Sequence, residues 1–120
     1  MVERINTKTI FKNFNLSNKH AEISAEYLIK AELFGAPSHG LARLKMYCER
    51  LDRKIINPNP KIKIKKISQS ISHIDANNSI GFVAADLGIK VAIKNAKKTG
   101  IGLVAIKNSG HYGLSSFYAE

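Results

Sequence analysis

Cysteine and tryptophan are scarce in this sequence. Its 120 residues include one cysteine, Cys48, and no tryptophan. A single cysteine cannot form a disulfide within the chain, which excludes the disulfide-stapled class of small secreted domains. No cysteine and histidine residues have the spacing of zinc ligands, so we predict no metal site.

Long apolar runs are also missing. No stretch approaches the roughly 20 apolar residues of a membrane-spanning helix, and none follows Met1 as in a secretory signal. We therefore expect a cytoplasmic protein. The hydrophobic fraction of 44% and the small number of aromatic residues fit an ordinary globular domain with a modest core.

Acidic side chains are few, and the formal net charge is +10. Most of the positive charge comes from lysines that are scattered along the chain. Proteins that bind nucleic acids usually cluster their charge and often combine it with arginine or aromatic residues. Solvated surface lysines are therefore the favoured interpretation. Steering of an anionic substrate or cofactor and nucleic-acid binding are the second and third interpretations.

The first half of the sequence predicts helices. They cover residues 7–15, 17–34 and about 40–54. Ser17 has the side chain of an N-cap for the second helix. Gly35 suits the position just after that helix, and Pro37 disfavours its continuation.

The second half predicts strands around one long helix. The expected strands are 61–65, with one wet face, 70–75, and the apolar run 101–106, which has the composition of a fully buried strand. Residues 76–78 are expected to form a turn. Ser79 is expected to cap a helix that runs to about Lys98, is apolar on most sides and ends at Gly100.

These elements predict an α/β protein in which N-terminal helices are followed by strands and a buried helix. Residues 1–56 would form a helical segment and residues 57–120 the start of an α/β domain. A further helix begins near Leu114 and is still incomplete at Glu120. We therefore expect a fragment of a larger α/β enzyme that is incomplete at its C-terminus.

Residues 100–105 match the dinucleotide-binding pattern G-x-G-x-x-A. That pattern has to follow a strand and open a helix. Here it follows a predicted helix and opens a predicted strand, so we reject it and interpret Gly100 as a helix terminator. The fold is accordingly expected to be non-Rossmann.

Polar side chains suited to binding a 2-hydroxy or 2-oxo acid follow Pro37. They are Ser38, His39, Arg43 and Tyr47. On one helix, residues four apart are neighbours, so the last three would form a line. An arginine fork binds a carboxylate through two hydrogen bonds, and an imidazole beside it can exchange a proton with the adjoining carbon's oxygen.

A second histidine, His111, lies in the glycine-flanked loop 108–113 after the last predicted strand. Ligands of open α/β sheets bind at that edge. Structural interpretations remain open for each residue. Ser38 could be an N-cap, His39 an exposed first-turn residue, Tyr47 part of the core, and His111 a loop residue with no role.

The run AELFGAPSHG from Ala31 to Gly40, with Arg43 and Tyr47, resembles the malate/L-lactate dehydrogenase type 2 family. That family also contains ureidoglycolate, sulfolactate and diketogulonate oxidoreductases. Further segments agree in order and spacing. They are 56–58, 75–81, 100–105 and 108–113. Pro37 and Tyr112 are mild departures from the family pattern, and the short length is the serious one.

The resemblance implies an oxidoreductase of small 2-hydroxy or 2-oxo acids that uses NAD or NADP and forms a homodimer. It implies that both histidines are catalytic, with His39 the proton donor as in some members and His111 the proton acceptor as in others. It also implies that Arg43 and Tyr47 contact the substrate carboxylate and that Ser38 lies near the same pocket. The cofactor-binding residues are expected mostly beyond Glu120, so the chain alone is expected to be inactive.

Two functions from different classes stay open. The first is this dehydrogenase chemistry, with His39 favoured as the proton partner because it would share a helix edge with Arg43. The alternative is a small basic α/β interaction module, with weak and non-specific nucleic-acid binding at most. The largely apolar helix from Ser79 further predicts that the isolated chain exposes apolar surface.

Overall fold

A computed structural model describes residues 1–120 and arranges them as five α-helices and a three-stranded sheet. The helices are α1 (Val2–Asn13), α2 (Asn18–Leu33), α3 (Leu44–Asp52), α4 (Gly81–Thr99) and α5 (Ser116–Ala119). The strands are β1 (Lys63–Lys66), β2 (Ile71–Ser79) and β3 (Leu103–Ser109). Two short 3₁₀ turns, Pro37–His39 and Leu41–Arg43, separate α2 from α3. The predicted α/β class is confirmed. No helix is both long and apolar enough to cross a membrane.

The sheet is mixed, with β2 in the centre. Strand β1 runs antiparallel to β2, with Lys63 opposite Asp75, and β3 runs parallel to β2, with Ile71 opposite Leu103. Helix α4 makes the crossover between the two parallel strands, as such a connection requires. Because β2 and β3 are parallel, their C-terminal ends meet at one edge of the sheet, and the loop with His111 starts there.

One hydrophobic core joins the helices of the first half to the start of α4. Its buried members are Phe11, Leu16, Ala21, Leu28, Tyr47, Leu51, Ile56, Ile80, Phe82 and Val83. Tyr47 and Phe82 are among its largest fully buried side chains. Their rings lie with centroids 5.0 Å apart. The core therefore fixes α3 against the beginning of α4.

Helices α2 and α4 agree closely with the sequence pattern. Ser17 caps α2, since its hydroxyl accepts a hydrogen bond from the backbone N–H of His20 at 3.2 Å. Gly100 ends α4 with a left-handed φ of 82°. Ser79 is not the cap of α4, because the buried Ser79 hydroxyl donates to the carbonyl of Ile80, which holds the capping position itself.

The expected turn at residues 76–78 is wrong. These residues continue β2, and the two asparagines Asn77 and Asn78 take left-handed φ angles of 50° and 59°. Asparagine tolerates that conformation better than most residues. The strand pairing is accordingly irregular between Asp75 and Ser79, so turn-forming residues here produce an irregularity within a strand.

The strands differ from expectation in burial. Strand β1 is exposed along its whole length, where one wet face was expected. Strand β3 begins at Leu103 and most of its residues are exposed, so the expectation of a fully buried strand is wrong. The physical reason is what covers it: β3 is an edge strand, and α4 packs against it from one face, whereas a fully buried strand needs cover on both faces. Residues 100–105 lie between α4 and β3, so they follow a helix and lead into a strand. This order confirms the rejection of the dinucleotide-binding pattern, which needs a strand before it and a helix after it.

Candidate active site

The helix expected over residues 40–54 is wrong at its start. Gly40 (φ −101°, ψ −135°) separates the two 3₁₀ turns, and α3 begins only at Leu44. His39 and Arg43 therefore do not share one helix edge with Tyr47. Arg43 holds the N-cap position of α3, and Ser38 caps no α-helix.

A carboxylate holds this turn in place. Glu32 Oε1 accepts a hydrogen bond from the backbone N–H of Leu41 at 2.6 Å. A Cβ atom at Gly40 would overlap the same carboxylate. A side chain at this position would push the carboxylate aside, so glycine lets the hydrogen bond to Leu41 form. The Glu32 carboxylate positions the segment that carries Ser38 and His39.

Arg43 closes the same turn from the other side. Its Nε donates to the backbone carbonyl of Ser38 at 2.8 Å. That hydrogen bond orients the guanidinium and leaves the two Nη groups to bind an anion. The Ser38 hydroxyl lies 3.0 Å from Nδ1 of His39. Ser38 is exposed and His39 half-buried, so this group of side chains faces solvent.

His111 comes to this turn from the far end of the chain. Its Nδ1 lies 2.7 Å from the hydroxyl of Tyr47. Its ring stacks near that of His39, with centroids 6.2 Å apart and an angle of 26° between planes. The structure thus brings the two predicted catalytic histidines together, with Tyr47 and the turn of Ser38 and Arg43 beside them.

Close backbone packing fixes the loop of His111. A Cβ at Gly81 would overlap the carbonyl oxygens of His111 and Gly110. Gly113 has a left-handed φ of 80°, and a Cβ there would press on the ring of Phe82. Two glycines therefore let the loop lie directly against the start of α4.

The surroundings set the protonation of the site. Partial desolvation of the ring lowers the pKa of His111, and the electrostatic influence of the neighbouring Arg43, His39 and Arg50 lowers it further. Burial raises the pKa of Tyr47 to about 12. At neutral pH His111 is therefore neutral and Tyr47 keeps its proton.

An open cavity of about 470 Å³ adjoins the loop that carries His111. Most of its lining is apolar and comes from α4 and β3, including Ala85, Ile89, Val104 and Ile106. Gly110 and Tyr112 close it on the side of the loop. No cluster of three histidine, cysteine or acidic side chains is arranged to hold a metal ion.

A family model for Malate/L-lactate dehydrogenase matches residues 4–120. The chain belongs to this family. A malate/(S)-sulfolactate dehydrogenase of Methanothermus fervidus is 36% identical over 92% of the chain and 33% of its own length. A ureidoglycolate dehydrogenase (NAD(+)) of Escherichia coli is 33% identical over 88% of the chain and 30% of its own length.

Solved structures of the family agree with this assignment. The malate dehydrogenase of Pyrococcus horikoshii OT3 superposes with a TM-score of 0.94 at 35% identity, over 98% of the chain and 34% of that protein. The chain thus spans about a third of the length of the relatives it matches. These findings leave the alternative of a basic interaction module without support.

Three contributors to the site were not predicted from the sequence. They are Glu32, Gly81 and the backbone N–H of Gly113. Glu32 accepts its hydrogen bond from Leu41, nine residues further along and beyond the end of α2. Helical spacing predicts contacts only between residues three or four apart, so it could not have indicated this pair. Gly81 did carry a signal, because a glycine in a helix costs about 1 kcal/mol and often marks close packing.

Proposed function

We propose that the protein containing this chain is an NAD(P)-dependent dehydrogenase that interconverts a small 2-hydroxy acid and the corresponding 2-oxo acid. The observation that carries the proposal is the convergence of His39 and His111, with ring centroids 6.2 Å apart, beside the guanidinium of Arg43. Family membership supports it, and the names of the relatives specify hydroxy-acid chemistry.

In this proposal Arg43 binds the substrate carboxylate. Its Nε is occupied by the Ser38 carbonyl, so the two Nη groups form the hydrogen bonds to the two carboxylate oxygens. The Ser38 hydroxyl borders the same pocket. A carboxylate held there places the adjoining C2 carbon and its oxygen near the two imidazoles. The expected direct contact of Tyr47 with the carboxylate stays a prediction.

Proton transfer is assigned to His39, because the hydrogen bond from Arg43 to the carbonyl of Ser38 holds the guanidinium next to the turn that carries His39. A nicotinamide cofactor, when bound, would supply the hydride acceptor for C2 in oxidation and the hydride donor in reduction. His39 takes the proton of the C2 hydroxyl in oxidation and gives it back in reduction. His111 is the positioning or polarising partner, because its neutral ring stabilises negative charge on the C2 oxygen by a hydrogen bond.

The residues of the cavity fit the ring end of a nicotinamide cofactor. Its apolar walls and the bare backbone at Gly110 suit a flat aromatic ring, and no carboxylate lines it. Both NAD and NADP are retained, and the name of one relative specifies NAD(+). The proposal includes a homodimer in the cytoplasm and requires no metal ion.

The test is a spectrophotometric assay of NADH and NADPH turnover by a polypeptide that carries this chain at the length of its relatives. The substrates are malate, sulfolactate and ureidoglycolate, in separate reactions. The matched control is each substrate with its C1 carboxylate converted to the amide. We expect activity that requires the carboxylate. No turnover of any acid, or equal turnover of acid and amide, would contradict the proposal.

A further inference from the structure

The ring of His111 has a defined proton position. Its Nδ1 accepts a hydrogen bond from the backbone N–H of Gly113 at 3.2 Å. A backbone N–H can only donate, so Nδ1 carries a lone pair and no proton. The Tyr47 hydroxyl, 2.7 Å from the same atom, must then donate as well. The proton of the neutral ring is left on Nε2.

Both donors are fixed by the fold. Tyr47 is only 1% exposed and belongs to the core cluster with Phe82. Gly113 has a left-handed φ and lies so close to the Phe82 ring that a Cβ atom there would overlap it. The same aromatic side chain therefore supports both donors, so the orientation of the His111 ring follows from the packing of the core.

Protonation of Nδ1 is opposed from every side of the ring. It would break the hydrogen bond from Gly113 and set two N–H groups against each other. The groups that face the ring are Arg43 and His39 from the 3₁₀ turns, Arg50 and Tyr47 from α3, and Tyr112 from its own loop. None of them carries a negative charge at neutral pH that would stabilise an imidazolium.

We propose that Tyr47 is a positioning residue which, with the N–H of Gly113, holds His111 neutral with its proton on Nε2, so that His111 donates a hydrogen bond to the C2 oxygen of the substrate. This inference rests on the proposed function and deepens it. A hydrogen bond of this kind strengthens as negative charge develops on that oxygen. In this proposal Tyr47 acts on the substrate through His111, which replaces the direct carboxylate contact that the family resemblance implies.

The proton position is measured by ¹⁵N NMR of the unsubstituted chain labelled at histidine. Only His20, His39, His73 and His111 contribute, and the His111→Gln variant assigns the signal. At pH 7 we expect a pyridine-like shift for Nδ1 of His111 and a pyrrole-like shift for Nε2. A pyrrole-like Nδ1, or a ring protonated at both nitrogens, would overturn the proposal.

The contribution of Tyr47 is measured with Tyr47→Phe, which keeps the buried ring and removes only the hydroxyl. The matched control is Tyr112→Phe, since the Tyr112 ring also lies near His111, with centroids 6.5 Å apart. We expect the Nδ1 shift of His111 to move towards that of an unbonded nitrogen in the first variant only. An unmoved shift in Tyr47→Phe would remove Tyr47 from this role.

Kinetics separate a positioning role from a direct substrate contact. In the active dehydrogenase, Tyr47→Phe should lower kcat by about tenfold and leave KM within about twofold. A raised KM with unchanged kcat would show a carboxylate contact and refute the positioning role. If the unsubstituted protein lacks dehydrogenase activity, the proposed function fails, whereas the NMR result still decides the proton position.

Discussion

Two apolar regions of this molecule are packed very differently. The core around Tyr47 and Phe82, at 1% and 0% exposed, fixes α3, the start of α4 and the loop of His111. The apolar side chains of β3 and its approach lie open, with Ile101 67% and Leu103 58% exposed. The candidate site is therefore built on the packed region, and the exposed region is a sheet edge on which the chain places no further strand.

The residues of the candidate site lie within about a third of the length of the relatives. Its side chains come from two segments, 38–47 and 111–113, and the packed region joins both. The predicted exposure of apolar surface in the isolated chain agrees with the open β3 edge. Substitutions in the two regions should accordingly have very different effects.

The largest effect is expected at His39. In the proposed dehydrogenase, at the length of the relatives, His39→Asn should lower kcat by about 10²–10⁴ and abolish its pH dependence near neutrality, because the proton partner is lost. His111→Asn should lower the rate and keep a recognisable pH profile. The measurement is kcat against pH for each variant. A wild-type profile in His39→Asn with a lost profile in His111→Asn would reverse the assignment.

The close approach at Gly81 should be the next most sensitive feature. Gly81→Ala should lower the free energy of unfolding by about 1–3 kcal/mol, because the new Cβ overlaps the backbone of Gly110 and His111. The measurement is urea unfolding. The matched control is Gly110→Ala, since a Cβ at Gly110 meets no atom within 4 Å. Equal effects of the two substitutions would argue against close packing at this point.

Arg43→Lys should mainly weaken substrate binding. Lysine is a point charge that cannot form the two parallel hydrogen bonds of a guanidinium, so kcat/KM should fall by about tenfold or more. Steady-state kinetics with the acid substrate measure this effect. A second series with the amide substrate supplies the control, where the substitution should matter less. Unchanged kcat/KM for the acid would exclude Arg43 from the carboxylate site.

The sequence predicted the elements of the packed region better than their junctions. Helix α2 was recognised because Ser17 and Gly35 mark both of its ends by local rules. The break at Gly40 was missed, because the apolar pattern of α3 continues backwards through it and the Glu32 carboxylate that stabilises the break comes from another helix.

The site residues were predicted as a list, and the one geometry predicted for them, a line of His39, Arg43 and Tyr47 on a single helix, is wrong. Loop position and family resemblance singled out His39 and His111. Their proximity depends on Gly81 and Gly113 packing the loop onto α4, which no local pattern encodes. The burial of β3 was predicted wrongly for a related reason. An apolar run shows which side chains avoid water, and only the tertiary arrangement shows whether helices cover both faces of the strand.

A smaller effect is expected from pH. Partial burial lowers the pKa of both His20 and His111 from their usual 6.5. The unfolded chain therefore binds protons first as the pH falls, and the free energy of unfolding should decrease below about pH 6.5. Thermal unfolding between pH 5 and 8 measures the trend. His20→Gln should reduce its slope, and a stability that rises on acidification would contradict the stated directions.

The smallest effect is expected on the open edge. Leu103→Ala in the 120-residue chain should change the free energy of unfolding by no more than about 0.5 kcal/mol, because its side chain is already 58% exposed. Ile74→Ala is the matched substitution on the neighbouring strand. Ile74 is 1% exposed, so its truncation should cost about 2–5 kcal/mol. Urea unfolding of both variants tests the contrast, and similar costs would show that the edge is as well packed as the core.

The same two substitutions in a polypeptide of the relatives' length show whether the β3 edge stays open in the longer protein. If Leu103→Ala then becomes costly while Ile74→Ala is unchanged, additional chain covers the β3 edge. If Leu103→Ala stays neutral there, this apolar edge remains open in the longer protein.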